Sequence, residues 1–312
     1  MTTQETAKTL YLDCDGISYA YRIIGHSNRP VPPLLMLNHV RSTIDTWDPE
    51  VINNLTASGR QLITYDYAGL GHSGGSVAPS IKVFALNLLA FLAKLLPTLE
   101  TQQVDVLGFS MGGYIAQQLA LDAPELIRKI VLSGTGPSLG PDLQRPMNEV
   151  QSTVFNPVPG EATIPAFFPP FTTGDQGIAW LNRSTGSRRA IAGKNGEPQV
   201  ALFTTGKSLS NLTRAYLGWD ADPLPYALLQ TIQKDVLVTS GDNDLIVPTQ
   251  NSYVLARQLS RANFVMFPSS GHGHLFQYAS YYAKLVGDFL DGHLPIAPFS
   301  AGSVPPLAST VQ

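Results

Sequence analysis

The sequence has a single cysteine, Cys14, in 312 residues. That excludes an intrachain disulfide and removes the main mark of an oxidising compartment. Charge is sparse too: Asp, Glu, Lys and Arg make up 14% of the chain, with a net charge of −3. Such a balance gives no general attraction to nucleic acid or to an anionic membrane. The nearest approach to a basic cluster, Arg183 with Arg188 and Arg189, reads as a solvated face. No long hydrophobic run is present. The most lipid-like stretch, residues 81–96, is interrupted by Asn87 and Lys94 and stopped by Pro97, so a buried helix is expected rather than a membrane span. Residues 1–9 lack the apolar core of a signal peptide, which makes a cytoplasmic location the default expectation. The 6 histidines show no zinc-motif spacing, and no phosphate-binding glycine pattern opens a helix. No metal, cofactor or nucleotide is expected; the expected partner is a small-molecule substrate.

What the chain does have is apolar bulk, 44% of its residues, enough for a large core. Residues 9–14 and 17–24 flank Asp15-Gly16 and predict an antiparallel hairpin. Strand and helix patterns then alternate. Strands are expected over residues 34–37, 61–65, 104–107, 129–132, 235–239 and 263–267. Helices are expected over 49–57, 81–96, 115–121, 250–258 and 275–291. Short apolar runs that do not alternate in polarity imply a parallel sheet buried on both faces, an α/β fold. The regularity fails over residues 137–225, where Pro and Gly are dense and the helical patches, 147–155 and 178–183, are short. This segment reads as a mainly helical lid inserted into a core made of residues 1–136 and 226–293. Residues 294–312, rich in Pro, Ala and Ser, read as a loosely ordered tail. No internal repeat is visible.

One stretch carries chemistry. Gly108-Phe109-Ser110-Met111-Gly112 follows a short apolar strand and precedes a helix, the setting of a G-x-S-x-G nucleophile elbow. In a chain with 27 glycines the pattern alone is weak, and it recurs at Gly71-His72-Ser73-Gly74-Gly75, which follows no apolar strand and opens no helix. A serine needs a base, and the base an orienting partner. Asp242 and Asp244 follow one late strand; His272 and His274 follow the next. That puts acid and base on loops at the edge where Ser110 emerges, in the chain order Ser, Asp, His.

On these motifs, together with Asp66-Tyr67-Ala68-Gly69-Leu70-Gly71-His72-Ser73, Gly241-Asp242-Asn243-Asp244-Leu245-Ile246-Val247-Pro248 and Gly271-His272, the chain resembles the α/β-hydrolase superfamily across residues 10–292. Its Ser-Met-Gly-Gly elbow is similar to the esterase and cofactor-free haloperoxidase branch. The resemblance implies an α/β-hydrolase fold, a mostly parallel sheet with helices on both faces, and Ser110, Asp244 and His272 as the catalytic triad. Asp242 is then a turn residue and His274 a neighbour that lines the pocket or pairs with a backbone carbonyl. Two N–H donors are needed for an oxyanion. Met111, directly after the nucleophile, is one. The other is expected in the loop after residues 34–37, where the family often has His-Gly and this chain has Asn38-His39. That points to Val40, with His39 restricting a backbone that glycine would leave free. His39 is expected to brace the loop or touch substrate, and Arg41 to make a surface salt bridge or reach a carboxylate or enolate.

Phe155, Phe167, Phe168, Phe171, Trp180, Tyr216 and Trp219 are expected either to form an aromatic substrate pocket over Ser110 or simply to hold the lid together. The expected function is serine hydrolysis of a neutral, partly apolar ester or lactone through an acyl-enzyme. The same triad would serve carbon–carbon bond hydrolysis or lysis of a β-diketone or polyketide-like substrate, or a perhydrolase. A fold-retaining ligand receptor without catalysis is the reading from another class.

Overall fold

The computed structural model describes residues 2–27, 30–155, 164–168, 174–186, 206–294 and 296. Eight strands form one sheet in the order β1-β2-β4-β3-β5-β6-β7-β8. The hairpin of β1 (Leu10–Cys14) and β2 (Ile17–Ile24) is antiparallel, turning on Asp15 and Gly16 with positive φ, and β2 also pairs antiparallel with β4 (Leu62–Tyr65). From β4 onward every pairing is parallel, through β3 (Leu34–Leu37), β5 (Val104–Phe109), β6 (Ile127–Ser133), β7 (Asp235–Gly241) and β8 (Ala262–Phe267). Strands β3, β4 and β5 are buried at every residue, which is why their sequences run apolar instead of alternating.

Helix α1 (Pro49–Ala57) begins where Asp48 caps it by accepting from the Glu50 N–H at 2.9 Å, with Pro49 at the first helical position. Helix α2 (Ile81–Thr98) runs through Pro97, contrary to the expected stop. Pro97 and Ala93 both face solvent. Water can therefore take the Ala93 carbonyl that proline leaves unbonded. At 18 residues, α2 is long and apolar enough to cross a membrane by length and composition, so the expected shortfall in length is corrected; here Phe84, Leu88, Phe91 and Leu95 are buried in the core. Helix α3 (Met111–Asp122) starts directly after Ser110, and β5 continues past Gly108 to Phe109, so the elbow is tighter than the sequence pattern implied.

The chain leaves the sheet after β6 and returns at β7. Between them the described residues form α4 (Asn148–Val154), α5 (Ile164–Phe167), α6 (Gly174–Gly186), α7 (Gly206–Asp220) and α8 (Pro223–Leu228). Arg183 is not simply solvated: it pairs with the capping carboxylate of Asp48 at 2.7 Å, tying α6 to the start of α1. Arg188, Arg189 and Phe171 lie outside the described residues. After α9 (Thr249–Gln258) and β8, the expected single last helix is two, α10 (His274–Gln277) and α11 (Ala279–Leu290). The break is Tyr278 (φ −111°, ψ 35°), whose hydroxyl donates to the Pro268 carbonyl at 2.8 Å.

Buried ion pairs close the sheet end opposite the elbow. Arg60 and Arg128 both reach Asp105, and Arg60 also meets Asp291 at 2.5 Å. Burial nevertheless pushes the Asp105 carboxyl above its ordinary range. Losing one guanidinium leaves carboxylates short of partners, so Arg60→Ala is expected to cost about 3 kcal/mol in urea unfolding. A cost below about 1 kcal/mol would mean that Arg128 alone suffices.

Candidate active site

Ser110 occupies the turn between β5 and α3 with φ 55° and ψ −120°, a left-handed conformation that non-glycine residues rarely adopt. The turn closes only because its neighbours lack side chains. A Cβ on Gly108 would stand 2.4 Å from the Gly112 carbonyl oxygen, and one on Gly112 2.2 Å from that of Leu37. Ser110 is fixed through its backbone: its N–H donates to the Ser133 carbonyl at 2.9 Å, and its carbonyl accepts from the Thr135 hydroxyl at 2.9 Å. Its Oγ is buried and makes no hydrogen bond among the described residues. Such looseness is common in unliganded sites, where the serine–imidazole bond forms on substrate binding.

The candidate base, His272, and its partner, Asp244, follow the ends of β8 and β7. His272 Nδ1 meets Asp244 Oδ2 at 2.7 Å, with both side chains buried. The other carboxylate oxygen accepts from the Ile246 and Val247 N–H groups, both at 2.9 Å. A carboxylate filled in this way holds the imidazole in one tautomer, with Nε2 left to accept a proton. The His272 ring packs on that of Phe109, the residue before Ser110, with centroids 4.8 Å apart. Asp242 accepts from the Ser269 and Ser270 N–H groups and shapes the turn. In the second glycine–serine match, the Ser73 hydroxyl donates to the Asp66 carbonyl and accepts from the Ala20 N–H. It is a structural serine.

Residues 32–277 match the family described as alpha/beta hydrolase fold. The chain belongs to that family. It is 26% identical to a 2-hydroxymuconate semialdehyde hydrolase of Pseudomonas sp. (strain CF600), over 83% of this chain and 86% of that one. It is 27% identical to a poly(3-hydroxyalkanoate) depolymerase of Ectopseudomonas oleovorans, over 91% and 92%. Among solved structures, an alpha/beta hydrolase fold protein from Chitinophaga pinensis superposes with a TM-score of 0.77, covering 93% of this chain and 99% of that one at 28% identity.

In this α/β hydrolase, the loop after β3 departs from expectation in an informative way. The positive φ falls on Arg41 (66°), not on His39. Asn38 pins the loop: its Nδ2 donates to the Tyr65 carbonyl, its Oδ1 accepts from Trp47 Nε1, and its own carbonyl accepts from the Tyr67 hydroxyl. His39 Nδ1 donates to the Val40 carbonyl at 3.0 Å, so the imidazole braces the loop and leaves Nε2 as its acceptor nitrogen. Arg41 is buried, and its guanidinium donates to the Val154 carbonyl at the end of α4. Arg41 lies inside the protein instead of at the surface expected for it, and it links this loop to the insertion. Val40 is buried in the same loop, and Met111 occupies the first helical position of α3, where an N–H has no intrahelical acceptor.

The described part of the insertion reaches the candidate triad. Phe167 sets its ring edge-on to both His39 and His272, at 5.5 and 5.0 Å. Trp180 stacks between Phe167 and Phe276, and Phe168 lies beside it. The Phe167 carbonyl accepts from the Gly273 N–H at 2.9 Å, next to the base. Phe155, Tyr216 and Trp219 lie elsewhere, around Tyr114 on α3. His274 is buried beside the Gly271 and His272 carbonyls, in keeping with the backbone pairing expected for it. It meets the Thr239 hydroxyl at 3.0 Å, which donates to Ser133 Oγ, itself 2.5 Å from the Tyr282 hydroxyl. Sequence reading missed this chain because its members lie on four separate elements and carry no motif. It links the ends of β6 and β7 to α10 and α11.

Burial pushes the His39 imidazole down to about 3, with repulsion from His272 adding to it, and burial lowers His274 to about 4. Unfolded imidazoles take up protons below their ordinary 6.5, whereas these two do not until far lower. The unfolded chain then binds more protons, so stability is full above that value and falls as pH is lowered toward 4. The urea midpoint is expected to fall over this interval, and to fall less steeply in His274→Gln. An unchanged slope in the variant would exclude His274 as a source.

Proposed function

We propose that the chain is a serine hydrolase of a neutral, partly apolar ester or lactone, working through an acyl-enzyme. The observation that carries this reading is the 2.7 Å contact of His272 Nδ1 with Asp244, on loops flanking the elbow at Ser110. His272 Nε2 takes the proton of Ser110 Oγ as the oxygen attacks the carbonyl carbon. The Met111 N–H, and in our reading the Val40 N–H, hold the resulting oxyanion. The tetrahedral intermediate collapses, and the alkoxide leaves with the proton from His272. Water then gives a proton to His272, attacks the acyl carbon, and frees Ser110 and the carboxylic acid. The aromatic cover of Phe167, Phe168 and Trp180 favours apolar acyl or alcohol groups, and the relative named as a poly(3-hydroxyalkanoate) depolymerase supports ester chemistry.

The relative named as a 2-hydroxymuconate semialdehyde hydrolase favours a second reading, hydrolysis of a carbon–carbon bond beside a ketone by the same groups. A panel of aryl esters, alkyl esters, lactones and β-diketones separates the two. Highest kcat/KM on apolar esters or lactones is expected. Negligible ester turnover beside diketone cleavage would transfer the assignment to the second reading, and preference for short charged esters would overturn the substrate class.

A further inference from the structure

The described insertion aromatics divide into two groups, of which Phe167, Phe168 and Trp180 lie on the His272 side. Tyr216 faces a different space. A cavity of about 500 Å³ lies between α7 and the sheet loops, bounded by Tyr114, Tyr216, Asp220, Arg145, Ile246 and Val247. Neither Ser110 nor His272 is among its walls.

Three features of this space suit a ligand. Asp220, the last residue of α7, is half-buried at the cavity wall and makes no hydrogen bond or ion pair among the described residues; this partial desolvation pushes its carboxyl up to about 7 against the weaker pull of Arg145. A desolvated carboxylate without a partner is unfavourable, and an incoming cation or N–H donor would offset that cost. The rings of Tyr114 and Tyr216, with centroids 5.4 Å apart, add aromatic surface that attracts a cation and covers an apolar body. Ile246 and Val247, which also line the cavity, are the residues whose N–H groups hold Asp244.

We propose that this cavity is a second small-molecule site, taking an amine carried on an apolar ring or chain. The ammonium pairs with Asp220, the body lies on Tyr114 and Tyr216, and occupancy alters the hold of Ile246 and Val247 on Asp244. Binding is independent of the serine-hydrolase reading; only its effect on turnover rests on that reading.

The probe is benzylamine, with benzyl alcohol as its uncharged counterpart, titrated calorimetrically into the full-length chain at about pH 8, where the amine is protonated and Asp220 ionised. One saturable benzylamine site is expected, with equal affinity in wild type and Ser110→Ala. Asp220→Asn, which keeps the side-chain shape, is expected to weaken it by about tenfold or more, and benzyl alcohol to bind wild type about tenfold more weakly or worse. Arg145→Gln removes an exposed, repelling cation and is expected to tighten binding severalfold, a gain that misfolding cannot mimic. At saturation, benzylamine is expected to change kcat for an aryl ester without competing for KM. Absence of a saturable site, binding unaffected by Asp220→Asn, or displacement of benzylamine by an active-site inhibitor would overturn the proposal. Binding with the expected variant pattern in a chain that turns over no ester would uphold the site while removing the hydrolase reading.

Discussion

Ser110→Ala is expected to lower ester hydrolysis by a factor on the order of 10⁴–10⁶ in kcat and to abolish labelling by a fluorophosphonate. Loss of a nucleophile is the largest single effect available here, because removing it stops the acyl-enzyme path outright. The substitution is also unusually clean. The Ser110 hydroxyl is buried and makes no hydrogen bond among the described residues, so its removal breaks no contact and relieves an unsatisfied polar group. The strained backbone at φ 55° remains in the alanine variant, which keeps the loop as it is. A thermal midpoint equal to or slightly above that of wild type is therefore expected alongside lost activity. Persisting label on another serine would sink the assignment, and Ser73 is already engaged at both its donor and acceptor.

The second large effect is expected from Asp244→Asn, a loss of roughly 10³–10⁴ in kcat. The aspartate accepts three hydrogen bonds: from Ile246 and Val247 on one oxygen and from His272 on the other. An asparagine has one oxygen to offer. If it serves the two amides, its NH₂ faces His272 Nδ1 and forces the proton to Nε2, the nitrogen that must receive the serine proton. Asp242→Asn, two residues away, keeps an oxygen for the turn made with Ser269 and Ser270 and is expected to cost about 1 kcal/mol of stability with little change in kcat. The contrast between the two variants is the test. Equal losses of kcat, or a larger one at Asp242, would remove Asp244 from its role.

The elbow turn and the meeting of Asp244 with His272 were legible because each is set by a few residues at a strand end. A glycine that admits a close backbone approach, a serine that follows it, and a histidine after a Gly-bearing turn all act locally. The alternation of strand and helix was legible for the same reason: burial on both faces leaves apolar runs at β3, β4 and β5. What stayed hidden depends on contacts between distant residues. Arg183 finds Asp48 across 135 positions, and Arg41 finds Val154 across 113. Nothing near either arginine announces its partner. The division of the insertion aromatics into two groups is of the same kind, since Phe167 and Tyr216 look alike in sequence and differ only in which core element they meet. Pro97 misled for a different reason: its helix-breaking effect depends on whether the freed carbonyl faces water, and composition does not encode that.

The bond from Gly273 to the Phe167 carbonyl gives the site a property beyond shelter. Phe167 lies on the face of His272 while its main chain is fastened to the residue beside it, and Ser110 and His272 are 0% and 1% exposed. Any movement of Phe167 therefore pulls on the turn that carries His272. Ring and turn thus share one latch: a guest that shifts the first also shifts the imidazole beside it.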